Sequence, residues 1–244
     1  MLGRVLDDTL DALRTVARDA DDAGGYFPAM YARVTRRVMA DAAAGRFDDR
    51  QRMEAFVRGF ASRYLDARRD AGDAPSCWRA SFDVARDGRL LVVQQLLLGI
   101  NAHVNFDLPQ TVVAVAADAS DLAPIRPDFD AVNGVLHDTY DELLGDLDRV
   151  TRWTGRAAAM GGGHLFRFSL REARDQAWRT ATRLHATAPA GRAVEVRALD
   201  EMASVLGYLV TRPTIPFRWC TPLLRRLESH DPAAVTRSLL GPLA

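Results

Sequence analysis

Hydrophobic residues recur every three or four positions along most of this chain. One such stretch lies near residues 3–22, a second continues to about residue 44, and a third begins after Asp48 or Asp49, either of which would cap it. This spacing places apolar side chains on one face of an α-helix. The same spacing predicts further helices, which lie at 78–86, 129–158, 169–187, 192–211, 221–229 and 231–240.

Residues 89–106 differ because apolar side chains occupy nearly every side of the predicted helix. A helix of this kind is surrounded by other helices. Pro109 disfavours helical backbone at Leu108, so we expect the helix to end there. A new helix would start at "PQTVVAVAADA", with proline tolerated in its first turn. Its β-branched residues also suit a strand, but the sequence offers no partner strand.

The chain has no alternating strand pattern, no internal repeat and no low-complexity linker. Its 244 residues, of which 48% are hydrophobic, are enough for one sizeable core. We therefore predict an all-α protein with a single domain over residues 1–244. About eight or nine helices would surround the buried central helix at about 89–106.

Charge and hydropathy narrow the range of partners. The 32 basic and 32 acidic residues balance, so we expect no long-range attraction to nucleic acid or to an anionic membrane. No run of 18 apolar residues lacks polar breaks, which argues against a transmembrane helix. The start is amphipathic and acidic, unlike a signal peptide. We therefore predict a cytoplasmic protein that acts on a small molecule.

All 32 basic residues are arginine. The lysine of a phosphate-binding Walker A loop is therefore absent, and so is the lysine that forms a Schiff base with pyridoxal phosphate. Since the sequence also has no GxGxxG motif, we expect no organic cofactor. Cys77 and Cys220 lack metal-binding spacing, and we expect them to be buried apolar thiols without a disulfide.

The polar end of the central helix contains the main candidate chemistry. His103 and Asp107 are four residues apart and so share a helix face. Asp107 would orient one ring nitrogen of His103 and leave the other free as a general acid or base. Gly99, one turn earlier, leaves room for a ligand or for a closely packed helix. The alternative is that Asp107 caps the helix entered at Pro109 and that His103 is a satisfied core residue.

Asn101 and Asn105 are also four residues apart, but they lie roughly 160–200° around the helix from His103. We interpret them mainly as links between neighbouring helices and secondarily as candidate substrate-binding residues. Tyr31 and Trp78 are the other candidates for substrate binding. Aromatic stripes, however, lie in a core more often than in a binding site.

His137 and Asp141 repeat the four-residue spacing on the predicted helix 129–158. With His103 and Asp107 they would supply imidazole and carboxylate ligands for a metal. Such a site would suggest a metal-dependent hydrolase of the helical phospholipase C type. The acidic residues of "DTYDELLGDLD" lie on every side, which is typical of a solvated helix, and the chain lacks the further histidines of a three-metal site. We therefore prefer a site without metal.

Several segments in order resemble one family. They are "YFPAMYARVT", "CWRASFDVARDG", "GINAHVNFDLPQTVV", "FDAVNGVL" and "RDQAWRTATRL". The chain resembles an actinobacterial family of helical proteins that is known only as a domain of unknown function, over about residues 24–225. The hallmark is G-x-N-A-H-x-x-x-D-L-P, which places Asn101, His103, Asp107 and Pro109 in the motif. The resemblance implies a helical fold and implies no substrate.

The leading hypothesis is a small-molecule enzyme in which His103, oriented by Asp107, performs acid–base chemistry in a cavity between helices. Hydrolysis, lactonisation, cyclisation and elimination are the compatible reactions, and secondary metabolism is a plausible context. The first alternative is the metal-dependent hydrolase. The second is a non-catalytic ligand-binding or structural protein. A homodimer is compatible with each of them.

Overall fold

The structure is a computed structural model, and it describes residues 2–116, 120–151, 153, 163–212 and 215–241, without the side chains of 2–6, 141, 163–168 and 215–218. The helices in chain order are α1 (Leu2–Asp19), α2 (Tyr26–Ala43), α3 (Arg50–Arg69), α4 (Ser76–Asp87), α5 (Val92–Asn101), α6 (Leu108–Val115), α7 (Arg126–Thr151), α8 (Gly163–Ala186), α9 (Pro189–Thr211), α10 (Ile215–Arg226) and α11 (Pro232–Leu240), and a π-helical segment (Ala102–Asp107) joins α5 to α6.

The described residues contain no strand, which confirms the predicted all-α class. If α5, the π-helical segment and α6 are counted as one rod, the helices of the described part number ten, close to the eight or nine expected. Helix α7 begins at Arg126 rather than at residue 129. The expected continuation of α7 to residue 158 lies largely outside the described residues.

Local signals explain where several helices begin and end. The side chain of Asp49 accepts a hydrogen bond from the backbone N–H of Arg52 and so caps α3, as the sequence predicts. The carboxylate of Asp128 accepts two more, from the N–H groups of Asp48 and Asp49, at 2.6 and 3.2 Å. Gly88 takes the left-handed conformation, with φ of 61°, and ends α4.

The rod formed by α5, the π-helical segment and α6 is the centre of the fold. Helices α2, α3, α4, α8 and α9 all pack against it. Most of its side chains are buried, including those of Leu96, Leu98, Leu108 and Val112. The prediction of a buried central helix is therefore confirmed, and the polar residues of the rod lie deep inside the molecule.

The prediction that the helix ends at Leu108 is wrong. Leu108 has helical backbone angles, φ −60° and ψ −48°, and the rod continues through Pro109 to Val115. The N–H of Leu108 donates to the carbonyl of His103, five residues earlier, which is the bond of a π-helix. In a regular helix the proline ring would clash with the carbonyl four residues before it, and the wider turn relieves that clash. The "TVVAV" segment is accordingly helical and not a strand.

The buried side chains form two apolar clusters. The first contains side chains from each of the helices α1 through α5 and from α7, α9 and α11. The second contains side chains from α2, α3, α6, α7 and α8. Met39, Phe60 and Ile100 pack against both clusters. Phe60 and Ile100 thus lie where the two clusters meet, beside the polar end of α5.

The cysteines are both free, as expected. Cys77 is buried, but Cys220 is exposed, contrary to the prediction. The adjacent Trp219 is 76% exposed, because this part of α10 turns apolar residues outward. No helix of the described ranges is both long enough and apolar enough to cross a membrane.

Candidate functional site

His103 and Asp107 form a buried hydrogen-bonded pair inside the π-helical segment. Nδ1 of His103 lies 3.0 Å from Oδ2 of Asp107. The side chains are only 4% and 3% exposed. The four-residue spacing therefore produces the predicted contact, although the turn between the two residues is wider than in an α-helix. Single π-helical turns of this kind occur often at functional sites.

Trp78 of α4 binds the same carboxylate oxygen of Asp107 as His103 does. Its indole Nε1 donates a hydrogen bond to Oδ2 of Asp107 at 3.1 Å. The side chain of Asp107 makes no capping bond at the start of α6. The alternative role of Asp107 as a helix cap is therefore wrong, since its carboxylate serves Trp78 and His103 instead.

Arg63 places a positive charge near this carboxylate. Its Nε donates to Oγ1 of Thr111 at 3.2 Å, and the hydroxyl of Thr111 donates to the backbone carbonyl of Asp107 at 3.0 Å. Arg63 also donates to Oε1 of Gln110. Arg63 thus acts on Asp107 through its charge and through Thr111, without a direct ion pair.

Aromatic rings enclose the imidazole of His103. Phe60 stacks on it with ring centroids 3.4 Å apart and planes inclined by 11°. Tyr31 approaches edge-on at 4.4 Å, and Phe27 at 5.5 Å. Sequence reasoning placed Tyr31 among the substrate-binding candidates, and the structure does bring it to His103. Burial raises the pKa of Tyr31 well above its ordinary value, so its phenol stays neutral.

Burial also sets the charge state of the pair. It lowers the pKa of His103, against the opposing effects of the hydrogen bond and charge of Asp107. It raises the pKa of Asp107, while the hydrogen bond from His103, the charge of Arg63 and the bond from Trp78 lower it. A neutral imidazole that donates Nδ1–H to a carboxylate satisfies these contacts. Nε2 of His103 then carries a lone pair, and it has no hydrogen-bond partner among the described residues.

A cavity of about 170 Å³ lies against His103. Side chains of α2, α3, α5, the π-helical segment, α7 and α8 form its wall. The wall is almost entirely apolar; the polar residues among its lining are Tyr31, Thr35, His103, Thr139, Tyr140 and Arg174. An apolar cavity with a few polar groups is the usual form of a small-molecule binding site.

Gly99 serves close packing rather than the cavity. A Cβ atom placed on Gly99 would lie 2.5 Å from Cγ and 2.8 Å from Cβ of Phe27. Of the two roles considered for this glycine, the structure therefore supports the approach of a neighbouring helix, here α2. Phe27 itself packs its ring against Tyr31, Tyr64 and Trp78.

Asn101 and Asn105 lie away from the cavity wall. Nδ2 of Asn105 donates to Oδ1 of Asn101 at 2.9 Å, and Nδ2 of Asn101 donates to the carbonyl of Ala203 on α9 at 2.7 Å. The two asparagines therefore link the central rod to α9. The structure does not bring them to His103 as substrate-binding residues.

The second His–Asp pair is not assembled with the first. The side chain of His137 is 59% exposed on α7, and Nδ1 lies 3.8 Å from the neighbouring Asp138. The side chain of Asp141 lies outside the described residues. Among those that are described, no group of three or more His, Cys, Asp or Glu side chains could hold a metal ion. His103 and Asp107 are deeply buried, whereas His137 faces solvent.

Sequence reasoning did not single out Phe60, Arg63 or Arg174 as site residues. The helical spacing of Phe60 with Phe56 and Tyr64 predicts only that it lies on the inner face of α3. Arg174 is one of many arginines, but one signal could have found it: it shares a helix face with Leu170, Ala177 and Ala181. An arginine within an apolar face is unusual and points to a buried charge.

The fold and the site together define an all-helical protein with an apolar cavity and a buried histidine on the cavity wall. The chain belongs to a family of unknown function, DUF5995, whose sequence model matches residues 4–213. The expected resemblance to a helical family of unknown function is thereby confirmed. None of the curated proteins and none of the solved structures compared with this chain matches it.

Proposed function

We propose that this protein binds a small, largely apolar molecule in the cavity and that His103 transfers a proton to and from it. The observation that carries this proposal is the unpartnered Nε2 of His103 beside an apolar cavity. A buried polar atom without a partner is costly, and such atoms are retained where a ligand uses them. A ligand group that donates a hydrogen bond to Nε2 would satisfy it.

The neighbours of His103 support acid–base chemistry. A neutral imidazole takes a proton at Nε2, and Asp107 stabilises the imidazolium that forms through the hydrogen bond to Nδ1. Trp78 keeps the carboxylate of Asp107 in place. His103 is the catalytic residue of this proposal, and Asp107 and Trp78 are positioning residues. Tyr31, as a neutral phenol beside the imidazole, is a candidate for substrate binding.

The apolar wall favours some reactions over others. An apolar cavity of this kind tends to stay free of water, and hydrolysis needs a water molecule as a reactant. Elimination, cyclisation and lactonisation consume no water: His103 moves a proton while a bond within the bound molecule forms or breaks, and elimination and lactonisation release their leaving group, such as water or an alcohol. We therefore rank these three above hydrolysis. The proposal also includes a cytoplasmic location and a role in secondary metabolism. For the family it includes an actinobacterial origin and the G-x-N-A-H-x-x-x-D-L-P hallmark.

The test separates binding from catalysis. Purified protein is incubated with a library of small apolar compounds that contain a hydroxyl, carbonyl or ester group, and products are identified by mass spectrometry. His103→Asn should retain ligand binding and lose turnover by at least about a hundredfold. The control is His137→Asn, which changes an exposed histidine on α7. Equal turnover by wild type and by His103→Asn would overturn the acid–base role.

Non-catalytic ligand binding is the second candidate, and one observation favours it. Phe60 covers one face of the His103 ring, and Nε2 is itself enclosed. In a carrier, Nε2 would accept a hydrogen bond from the ligand without removing its proton. A ligand that co-purifies and is recovered unchanged after long incubation with wild-type protein would support the carrier over the enzyme.

A further inference from the structure

Arg174 of α8 is a buried cation on the wall of the same cavity. It is 4% exposed, and among the residues that the structure describes it is the only arginine that lines the cavity. The other buried arginine of the described residues, Arg33, forms ion pairs with Glu142 and Asp146. Arginine is almost never fully buried unless it is paired. The position of Arg174 therefore needs an explanation.

The known contacts of Arg174 use only part of its guanidinium group. Nε donates to Oδ1 of Asn133 at 2.7 Å, and Nη2 donates to the carbonyl of Phe129 at 2.6 Å. The guanidinium carbon also lies 4.3 Å from the centre of the Phe129 ring. In the described part of the chain, Nη1 has no acceptor and no carboxylate lies within ion-pair distance of Arg174. Neutral groups thus hold the cation in place and leave one donor nitrogen unused.

Two acidic residues nearby keep Arg174 charged without pairing with it. Burial lowers the pKa of Arg174 to about 10, and the charges of Asp130 and Asp175 oppose this shift. Both carboxylates instead bind Arg126, at 2.7 and 2.9 Å. Arg174 therefore remains positive at neutral pH while its acidic neighbours are engaged elsewhere.

Helix α3 connects Arg174 with His103 along one wall. Met53 and Phe56 lie beside Arg174 in the small hollow next to the cavity, and Phe60 stacks on His103. Phe60 is four positions after Phe56 and seven after Met53, which corresponds to about 6–10 Å along an α-helix. The cavity therefore has a cation near one end and an unpartnered imidazole nitrogen near the other, with apolar side chains between them.

We infer that the ligand of this cavity carries a carboxylate on an apolar chain or ring, and that Arg174 binds that carboxylate. This inference rests on the proposed function, because it assigns the ligand class of the same cavity. Arginine matches the planar geometry of a carboxylate. One cation neutralises one negative charge, so a doubly charged phosphate would stay partly unpaired in this apolar surrounding. The group that reacts at His103 would lie about 6–10 Å from the carboxylate.

The probes are pairs of straight-chain molecules of equal length, one a carboxylate and the other a neutral alcohol. Hexanoate and 1-hexanol are the shortest pair, and dodecanoate and 1-dodecanol the longest. Binding to the full chain is measured by isothermal titration calorimetry at pH 7. We expect the wild type to bind at least one carboxylate about tenfold or more tightly than the matched alcohol, as a charge-assisted hydrogen bond would provide.

Variants of Arg174 test whether this residue causes the preference for the carboxylate over the alcohol. In Arg174→Met the preference for the carboxylate should disappear while alcohol binding remains, and Arg174→Lys should keep part of it because the charge remains. Arg179→Met is the matched control, since Arg179 is an exposed arginine on the same helix. Circular dichroism melting checks that each variant folds. If Arg174→Met does not fold, Arg174→Gln is used, with the same expected loss.

The outcomes distinguish a failure of the role of Arg174 from a failure of the proposed ligand binding in the cavity. Equal binding of carboxylates and alcohols by the wild type overturns the role of Arg174 and leaves the apolar binding cavity intact. A carboxylate preference that survives in Arg174→Met also overturns it. If no chain length of either series binds the wild type, the proposed cavity function itself fails. Because the first comparison needs only the wild type, it is decisive whether or not the variants fold.

Discussion

The imidazole of His103 lies flat against the ring of Phe60, with centroids 3.4 Å apart and planes inclined by 11°. The two residues come from different elements, the π-helical segment and α3. This stack covers one face of the imidazole and fixes its orientation. Together with the bond from Nδ1 to Asp107, it determines where Nε2 can meet a ligand.

Phe60→Leu should expose the imidazole of His103. Leucine fills much of the same volume but has no flat ring, so we expect a stability loss below about 1.5 kcal/mol. Water would then reach the imidazole more easily, and its pKa should move up toward the ordinary value of 6.5. The measurement is an NMR titration of the histidine ring signals. Phe47→Leu, which changes a buried phenylalanine between α2 and α3, is the control and should leave the His103 titration as in the wild type. An unchanged pKa in Phe60→Leu would mean that the stack does not shield the imidazole.

Asp107→Asn and Asp107→Ala should differ in their effect on stability. Both His103 and Trp78 donate to the same oxygen, Oδ2 of Asp107. An asparagine oxygen at that position can accept both bonds, so Asp107→Asn should lose only about 1 kcal/mol. Asp107→Ala leaves two buried N–H groups without an acceptor and should lose about 2–4 kcal/mol. Urea unfolding with intrinsic tryptophan fluorescence measures both.

The order of these two losses is the decisive result. If both variants lose the same free energy of unfolding, the carboxylate charge, rather than hydrogen-bond acceptance, holds the pair together. Asp107→Asn also tests the proposed chemistry, because it keeps the geometry but removes the charge that would stabilise the imidazolium of His103. The turnover rate of Asp107→Asn should therefore fall even though the variant keeps most of the free energy of unfolding.

Helical periodicity predicts most of this fold because one-sided apolar spacing depends only on neighbouring residues. The all-round apolar pattern of residues 89–106 correctly predicts a helix surrounded by others. The prediction that the helix ends before Pro109 fails because it assumes a regular helix, whereas the π-helical turn before Leu108 makes room for the proline ring. A single residue rule cannot foresee a change in the pitch of the preceding turn.

The candidate site is predictable only where its parts are close in sequence. His103 and Asp107 are four residues apart, so helix geometry alone brings them together. Trp78 and Phe60 reach them from α4 and α3, and Arg174 reaches the cavity from α8, through tertiary packing that no local pattern encodes. The burial of Arg174 within an apolar helix face was visible in the sequence, but its position near His103 was not.

Gly99→Ala should destabilise the protein although alanine favours helices. The added Cβ would overlap with Phe27, whose Cγ would lie 2.5 Å away. Overpacking of this kind costs about 1–3 kcal/mol, which exceeds the gain in helix propensity of up to about 1 kcal/mol. Thermal melting followed by circular dichroism measures the change.

Gly59→Ala is the matched control for the Gly99 variant. Gly59 also lies inside a helix, and its added Cβ would meet only Cγ2 of Thr111, at 3.9 Å. This variant should melt at the same temperature as the wild type or higher. Phe27→Ala removes the Cγ atom that overlaps with the added Cβ, so Gly99→Ala should cost less in the Phe27→Ala background than in the wild type. A wild-type melting temperature for Gly99→Ala alone would contradict the close packing of α2 against α5.

Glu228 should make stability depend on pH in a defined direction. Its buried carboxylate accepts hydrogen bonds from the N–H of Val92, at the start of α5, and from Nε1 of Trp153. Burial raises the pKa of Glu228 from 4.5 to about 7, against the opposing effects of the Val92 bond, the charge of Arg225 and the Trp153 bond. Between these values the folded state binds more protons than the unfolded state. Glu228 therefore lowers the free energy of unfolding as pH rises from about 4.5 to 7.

Glu228→Gln isolates this contribution because the glutamine does not titrate. The lowered pKa of His103 acts in the opposite direction, since it reduces stability as pH falls below about 6.5, but it is common to both proteins and cancels in their difference. Urea unfolding at pH 5, 6, 7 and 8 gives that difference. The stability of Glu228→Gln relative to the wild type should rise from pH 5 to pH 7 and then level off. A flat difference for Glu228→Gln would mean that Glu228 titrates in the folded protein as it does in the unfolded chain.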